Sequence, residues 1–190
     1  MPETVSIEIG NLDFRFENSL VKIIANRNCP EIKLAGLKIG PFEEGNEYEV
    51  QYWIARELVK SGTARFREKE MLDAAGIYKI QWKERVQTAR QISKLPDEFY
   101  PKLRRCLREL KEKAAKKPEK MREYEKVTQL TRDITNSRLK KIVSLASAPA
   151  QTGQTLKNFT DEERFLYEQL YKLISEWRTQ IFKNESEEEE

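Results

Sequence analysis

Residues 118–148 read PEKMREYEKVTQLTRDITNSRLKKIVSLASA, and the spacing of their apolar members predicts one long helix. Met121, Tyr124, Val127, Leu130, Ile134, Leu139, Ile142 and Leu145 recur at intervals near three and four, which lays them along one broad side of a helix. Pro118 suits a first turn, where its missing N–H is no loss, and Pro149 and Gly153 break the pattern at the far side. A helix of this length is the piece against which the remaining chain has to pack.

The middle of that helix is unlike a simple core helix. Thr131, Arg132, Asp133, Thr135, Asn136, Ser137 and Arg138 surround Ile134 with short polar and charged groups. Such a turn is costly if buried unpaired and useful if it meets another polar surface. Asp133 and Arg138 do not stand at the spacing of four that pairs side chains within one helix. Two readings follow. Either the turn is solvated beside neighbours of its own chain, or it is an interface in which Ile134 packs while Asp133 and Arg138 meet opposite charges or helix ends on neighbouring chains.

Composition bounds the rest. The 190 residues suffice for one domain, or for a small and a medium one. A hydrophobic content of 38% against 35% charged residues describes a helix-rich soluble protein with wet faces, and no apolar run approaches the roughly 20 residues of a membrane span. Glu3 and Glu8 stand where a signal peptide would carry its basic and apolar regions, so a cytoplasmic protein is expected.

Residue types also narrow the chemistry. Cys29 and Cys106 are isolated, and there is no histidine, which removes histidine-based metal sites and histidine-dependent triads. Neither of the glycine-rich phosphate cradles, GxxxxGKT and GxGxxG, is present. Acidic pairs such as Glu43-Glu44 read as solvated or capping residues. No enzyme, cofactor or metal is expected.

Upstream, Val5, Ile7 and Ile9 alternate, Gly10-Asn11 signals a turn, and Phe14 and Phe16 alternate again, which predicts two short strands. Leu20 to Ala25 is a third strand. Ile32 and Leu34, then Leu37 and Ile39, are further extended pairs separated by Gly36, and Gly40-Pro41 with Gly45-Asn46 enclose Phe42 before Tyr48 and Val50. This β-rich module, residues 1–50, is too small for a deep core of its own. From Gln51 to Ser61 the period changes to helical, with Trp53, Ile54, Leu58 and Val59 on one side and Gly62 as terminator. The larger helical domain is expected over 51–184, with a disordered acidic tail at 185–190.

Within it, Glu68 to Gln91 predicts a helix whose buried stripe is Met71, Ala75, Tyr78, Trp82, Val86 and Ala89. Pro101 opens a further helix through Ala115, with Phe99, Leu103, Cys106 or Leu107, Leu110 and Ala114 inward. Gln151 to Asn158 reads as a polar linker. Thr160 to Glu163 forms a capping box that starts a last helix, on which Leu166, Leu170, Leu173, Trp177 and Ile181 lie beside Tyr167, Tyr171 and Ile174. Trp82 and Trp177 are expected in the core, and the wide apolar side of the last helix still leaves residues for another subunit.

Basic residues cluster ahead of the long helix. From Lys102 to Arg122 there are ten Lys or Arg against three Glu. Arg104, Arg105, Arg108, Lys111, Lys116 and Lys117 are candidates for a nucleic-acid contact, although no aromatic residue interleaves with them and no binding motif frames them, which favours a solvated flank.

Several of these segments, in order, resemble the GINS subunits of the replicative helicase assembly, in particular the archaeal subunit whose small domain precedes the helical one. SLVKIIAN at 19–26 and EIKLAGLKIGPFEEGNEYEVQYWIARELVKSG at 31–62 resemble the small-domain core and its passage into helix. LPDEFYPKLRRCLREL at 95–110 and NFTDEERFLYEQLYKLISEW at 158–177 resemble two helices of the bundle. TRDITNSRLKKIVSLA at 131–146 resembles the interface helix, in which Asp133, Arg138 and Lys141 match the family's charged positions. The likeness runs roughly from Leu20 to Trp177; the basic stretch 114–120 and the acidic tail share nothing with it.

The resemblance implies an α+β fold and a noncatalytic replication scaffold. It implies a heterotetramer with the second GINS subunit type, bridging the MCM helicase to a Cdc45/RecJ-like protein, with primase and DNA polymerase as further contacts and a weak DNA contact as an option. Asp133, Ile134, Arg138, Lys141, Tyr167 and Tyr171 are the candidate subunit-interface residues. A stand-alone helical DNA-binding protein using residues 102–122 is the alternative.

Overall fold

The computed structural model describes residues 2–34, 36–67, 71–86, 91–148 and 153–183. The expected acidic tail lies outside them. The chain divides into two compact units, Met1–Asp73 and Ala74–Glu190, a small β-rich one and a larger helical one, in agreement with the α+β expectation.

The first unit opens with helix α1 (Pro2–Glu17) in place of the two expected strands. Val5, Ile9, Leu12 and Phe16 are spaced four, three and four, a helical period that competes with the alternation of Val5, Ile7 and Ile9. Burial follows the helical period in the second half of the helix, where Leu12 and Phe16 are buried and Phe14 is exposed; Ile9 is half-buried, and Val5 and Ile7 are exposed.

The remaining strands fall where alternation puts them: β1 (Leu20–Ala25), β2 (Ile32–Leu34), β3 (Leu37–Ile39) and β4 (Glu47–Gln51). Val21, Ile23 and Ala25 point to the core, as a period of two requires. Helix α2 (Tyr52–Lys60) follows β4 directly and ends at Gly62, whose φ of 73° suits glycine and whose N–H bonds to the Val59 carbonyl at 3.0 Å.

A fifth strand, β5 (Ala64–Phe66), has no counterpart among the expected ones. It pairs antiparallel with β1, giving the sheet order β4-β1-β5, while β2 and β3 form a separate hairpin. Tyr52, Ile54, Ala55 and Leu58 of α2 share the core with β1. The small unit therefore extends through α2 and β5 instead of ending at residue 50. Tyr52 joins its parts, with ring centroids 4.7 Å from Phe16 and 5.4 Å from Phe66. Trp53 packs at the margin of the same core.

The second unit is built around α5 (Met121–Ala146), entered through a 3-10 turn at Pro118–Lys120. It packs against α3 (Ala74–Val86), α4 (Phe99–Lys116) and α7 (Asp161–Ile181). Part of the expected polar linker is a short helix, α6 (Gly153–Leu156). Phe99, Leu103, Cys106 and Ala114 of α4 are buried as their spacing predicts.

Helix α3 faces the opposite way to expectation. Ile77 and Glu84 are its buried residues, whereas Tyr78, Trp82 and Val86 are 54%, 61% and 66% exposed. Met71 is exposed too, and Ala89 lies outside the described residues. Trp177 is likewise 62% exposed, so neither tryptophan is a core anchor.

Candidate functional site

Arg138 sits on α5 four residues after Ile134 and four before Ile142, so it occupies a place in the apolar stripe itself. Its side chain is fully buried. An isolated charge there would be prohibitively costly, and the fold supplies five acceptors for the five N–H groups of the guanidinium. Nε donates to Glu163 Oε1 at 2.7 Å and Nη2 to Glu163 Oε2, a bidentate pair. Nη1 donates to Glu84 Oε1 at 3.0 Å and to the Ser93 carbonyl at 2.7 Å, and Nη2 to the Asn158 carbonyl at 3.4 Å.

The second carboxylate oxygen of Glu84 accepts from Lys141 Nζ at 2.7 Å, and its first also accepts from Ser93 Oγ at 2.7 Å. Tyr100 donates to Glu163 Oε1 at 2.8 Å. Glu163 closes the capping box as well, its Oε2 taking the Thr160 N–H at 3.2 Å while its own N–H bonds to Thr160 Oγ1 at 3.3 Å. Two cations and two carboxylates thus cancel in a water-excluded cluster that ties α3, the 91–98 connector, α4, α5 and α7 together.

Electrostatics within the cluster follow from that arrangement. Burial is the strongest influence on Glu84 and favours its neutral form, but hydrogen bonds from Lys141 and Ser93 and the charge of Arg138 outweigh it and hold the carboxyl below the ordinary range. Burial, reinforced by the adjacent Glu163 carboxylate, pushes the Tyr100 phenol well above its usual value. Burial disfavours the Arg138 cation, yet the bonds to Glu163 and the charge of Glu84 leave it more firmly protonated than usual.

Four of the six residues expected at a subunit interface are therefore interior to their own chain. Ile134, Arg138, Lys141 and Tyr167 are buried, and Arg138 finds its opposite charges on α3 and α7 of the same molecule, not across an interface. Tyr167 lies between Phe159 and Tyr171, with ring centroids at 5.4 and 5.9 Å. Tyr171 is half-buried. Asp133 is exposed and accepts from Gln129 Nε2 at 2.9 Å. Sequence reasoning missed Glu84 and Glu163 as Arg138's partners; the capping box and the Ile134–Arg138–Ile142 spacing were the available signals.

Among its many exposed charged residues the unit also presents apolar rows. Tyr78, Trp82 and Val86 form a row on α3, Leu139 and Val143 a row on α5, and Leu173, Trp177 and Ile181 a row on α7 that ends beside Phe182; all are exposed. Arg178 Nη2 donates to the Ser147 carbonyl at 2.7 Å and fastens the distal part of α7 to the end of α5. Among the basic candidates, Arg108, Lys111, Lys116 and Lys117 are exposed, whereas Arg104 and Arg105 are half-buried and Arg104 lies 3.6 Å from Glu162. Among the described residues no cluster of three or more potential metal ligands occurs, and no helix is long and apolar enough to cross a membrane.

Residues 8–67 match the PSF2 N-terminal domain family, and residues 71–182 match the GINS complex protein helical bundle domain. The chain belongs to the GINS family. The two matched regions meet at the boundary between the compact units, which places the small domain first, as in the resemblance drawn from sequence. The DNA replication complex GINS protein PSF2 of Homo sapiens is 29% identical over 101 residues, 53% of this chain and 54% of the human protein. This GINS chain thus spans about half the length of the curated relative it matches. It is PSF2-like, and the family is one of noncatalytic replication factors.

Proposed function

We propose that this GINS chain is a noncatalytic scaffold subunit that forms a heterotetramer with the second GINS subunit type. In this reading the assembly bridges the MCM helicase to a Cdc45/RecJ-like protein in a cytoplasmic, archaeal replisome, with primase and DNA polymerase as further contacts. The observation that carries it is the set of exposed apolar rows on α3, α5 and α7, three helices that the Arg138 cluster ties to one another. Rows of Trp, Tyr, Leu and Ile at helical spacing are what a partner helix buries, and aromatic residues dominate such contacts. Asp133 and Tyr171 remain the accessible members of the sequence-derived interface. The buried members act by positioning the helices that bear the surface.

Coexpression with the second subunit type, followed by native mass measurement, tests the proposal. A defined four-chain complex containing both chain types is expected. A chain that stays monomeric in the presence of its partner would overturn it. The exposed basic end of α4 supports a DNA contact as a secondary surface of the assembly. A monomer that alone retards duplex DNA would instead favour the stand-alone binder.

A further inference from the structure

Strand β4 is an edge of its sheet, and its register fixes which backbone groups face outward. The Tyr52 N–H bonds to the Ser19 carbonyl and the Ala25 N–H to the Asn46 carbonyl, while Val21 stands opposite Val50 and Ile23 opposite Tyr48. Even-numbered residues of β4 therefore bond inward to β1, and Glu47 and Glu49 direct their N–H and C=O groups away from it. Neither outward pair has a backbone partner among the described residues.

Beside this edge the chain leaves a cleft of about 290 Å³ between β4 and the β2–β3 hairpin, whose apolar lining is Leu20, Leu37, Ile39, Phe42, Val50 and Ile54 and whose charged lining residues are Lys38 and Glu49. Leu20 and Leu37 are 62% and 44% exposed there. An open backbone edge next to an apolar socket is the arrangement to which an extended peptide adds as a strand. Charge narrows the occupant. Glu47 is engaged by Lys22 and Arg67, each at 3.3 Å, but Glu49 is exposed and has no ionic partner among the described residues.

We propose that the cleft between β3 and β4 docks an extended segment of a partner protein carrying an apolar–basic–apolar triplet, which pairs with the outer edge of β4. The basic residue lies directly across from Glu49, on the same face, and exchanges both main-chain bonds with it. Its two apolar neighbours point to the opposite face, where Tyr48 and Val50 point, and fill the cleft. The site lies wholly within the small unit.

The test uses the full chain, isotope-labelled for amide NMR, with the blocked heptapeptide Ser-Thr-Val-Lys-Val-Thr-Ser as probe. Shift changes centred on residues 37–39 and 47–51 are expected. Methylating the lysine amide nitrogen of the peptide removes the bond to the edge and should weaken binding about tenfold. The Glu49→Lys protein, whose fold is checked by circular dichroism, should bind the probe about fivefold or more weakly and prefer a twin peptide with Glu in place of Lys. Absence of binding at millimolar peptide, or equal binding of the methylated twin, would overturn the proposal. Loss of heterotetramer formation with peptide binding intact would count against the assembly reading alone.

Discussion

Arg138 and Glu163 meet side-on through two parallel hydrogen bonds, and both side chains are sealed from water. Glu163 is simultaneously the third residue of its own helix and its capping partner. One carboxylate thus starts α7 and anchors it to the middle of α5. It fixes the first turn of α7, while the Arg178 bond to the Ser147 carbonyl holds the distal part that bears Trp177 and Ile181.

Arg138→Ala should cost the helical unit about 3–5 kcal/mol, because Glu84 and Glu163 would be left buried with their charge uncompensated. Arg138→Lys should recover only part of this, since an ammonium cannot span both carboxylates in the bidentate geometry. Urea unfolding of the chain reads both. Wild-type stability for the alanine variant would show that water reaches the cluster.

Acid should destabilise the same unit. The folded pKa of Glu84 lies below its unfolded value, near 4.5. The stability it contributes is therefore complete above the unfolded value and is lost as pH falls through the folded one. Urea midpoints measured from neutral pH into the acid range should fall in that window, and the fall should be shallower for Glu84→Gln. Identical profiles for the two proteins would remove Glu84 as a contributor.

Trp82→Ala and Trp177→Ala should change the stability of the isolated chain by less than about 1 kcal/mol, as expected of surface positions. If their rows are buried by a second subunit, at least one of them should weaken assembly by about 2 kcal/mol or more. Analytical ultracentrifugation of the reconstituted complex separates the two effects. A loss of about 3 kcal/mol or more in the free chain, of the order of a core truncation, would return the ring to the interior.

Gly10 tests the first helix directly. An added Cβ there meets nothing within 4 Å, so Gly10→Ala should stabilise the chain by about 0.5–1 kcal/mol if α1 is helical. Phe16→Ala should cost about 3–5 kcal/mol. A destabilising Gly10→Ala would point instead to a turn at Gly10-Asn11.

Replacing Arg108, Lys111, Lys116 and Lys117 together with Gln should reduce the salt dependence of DNA binding by the assembly, by about one unit for each phosphate that is no longer neutralised. A salt titration with unchanged slope and affinity would leave these four as solubilising charges.

Elements whose signals are local can be read from the amino-acid order without any knowledge of the fold. The alternation in Leu20–Ala25, the extended pairs on either side of Gly36, the change of period at Gln51 and the Thr160–Glu163 capping box all stand in the structure at those positions. Each depends on neighbours within a few residues. Tertiary structure decided which way the helices face and where the small unit ends. Arg138 is interior only because Glu84, 54 residues before it, and Glu163, 25 residues after it, converge on its guanidinium. Once Glu84 is drawn inward by Arg138 and Lys141, Ile77 follows it, and the Tyr78–Trp82–Val86 row must turn to the surface. Strand β5 has only three residues and acquires its identity from pairing with β1. Periodicity tells which residues share a side; which side is buried is settled by charges that meet only after the chain has folded.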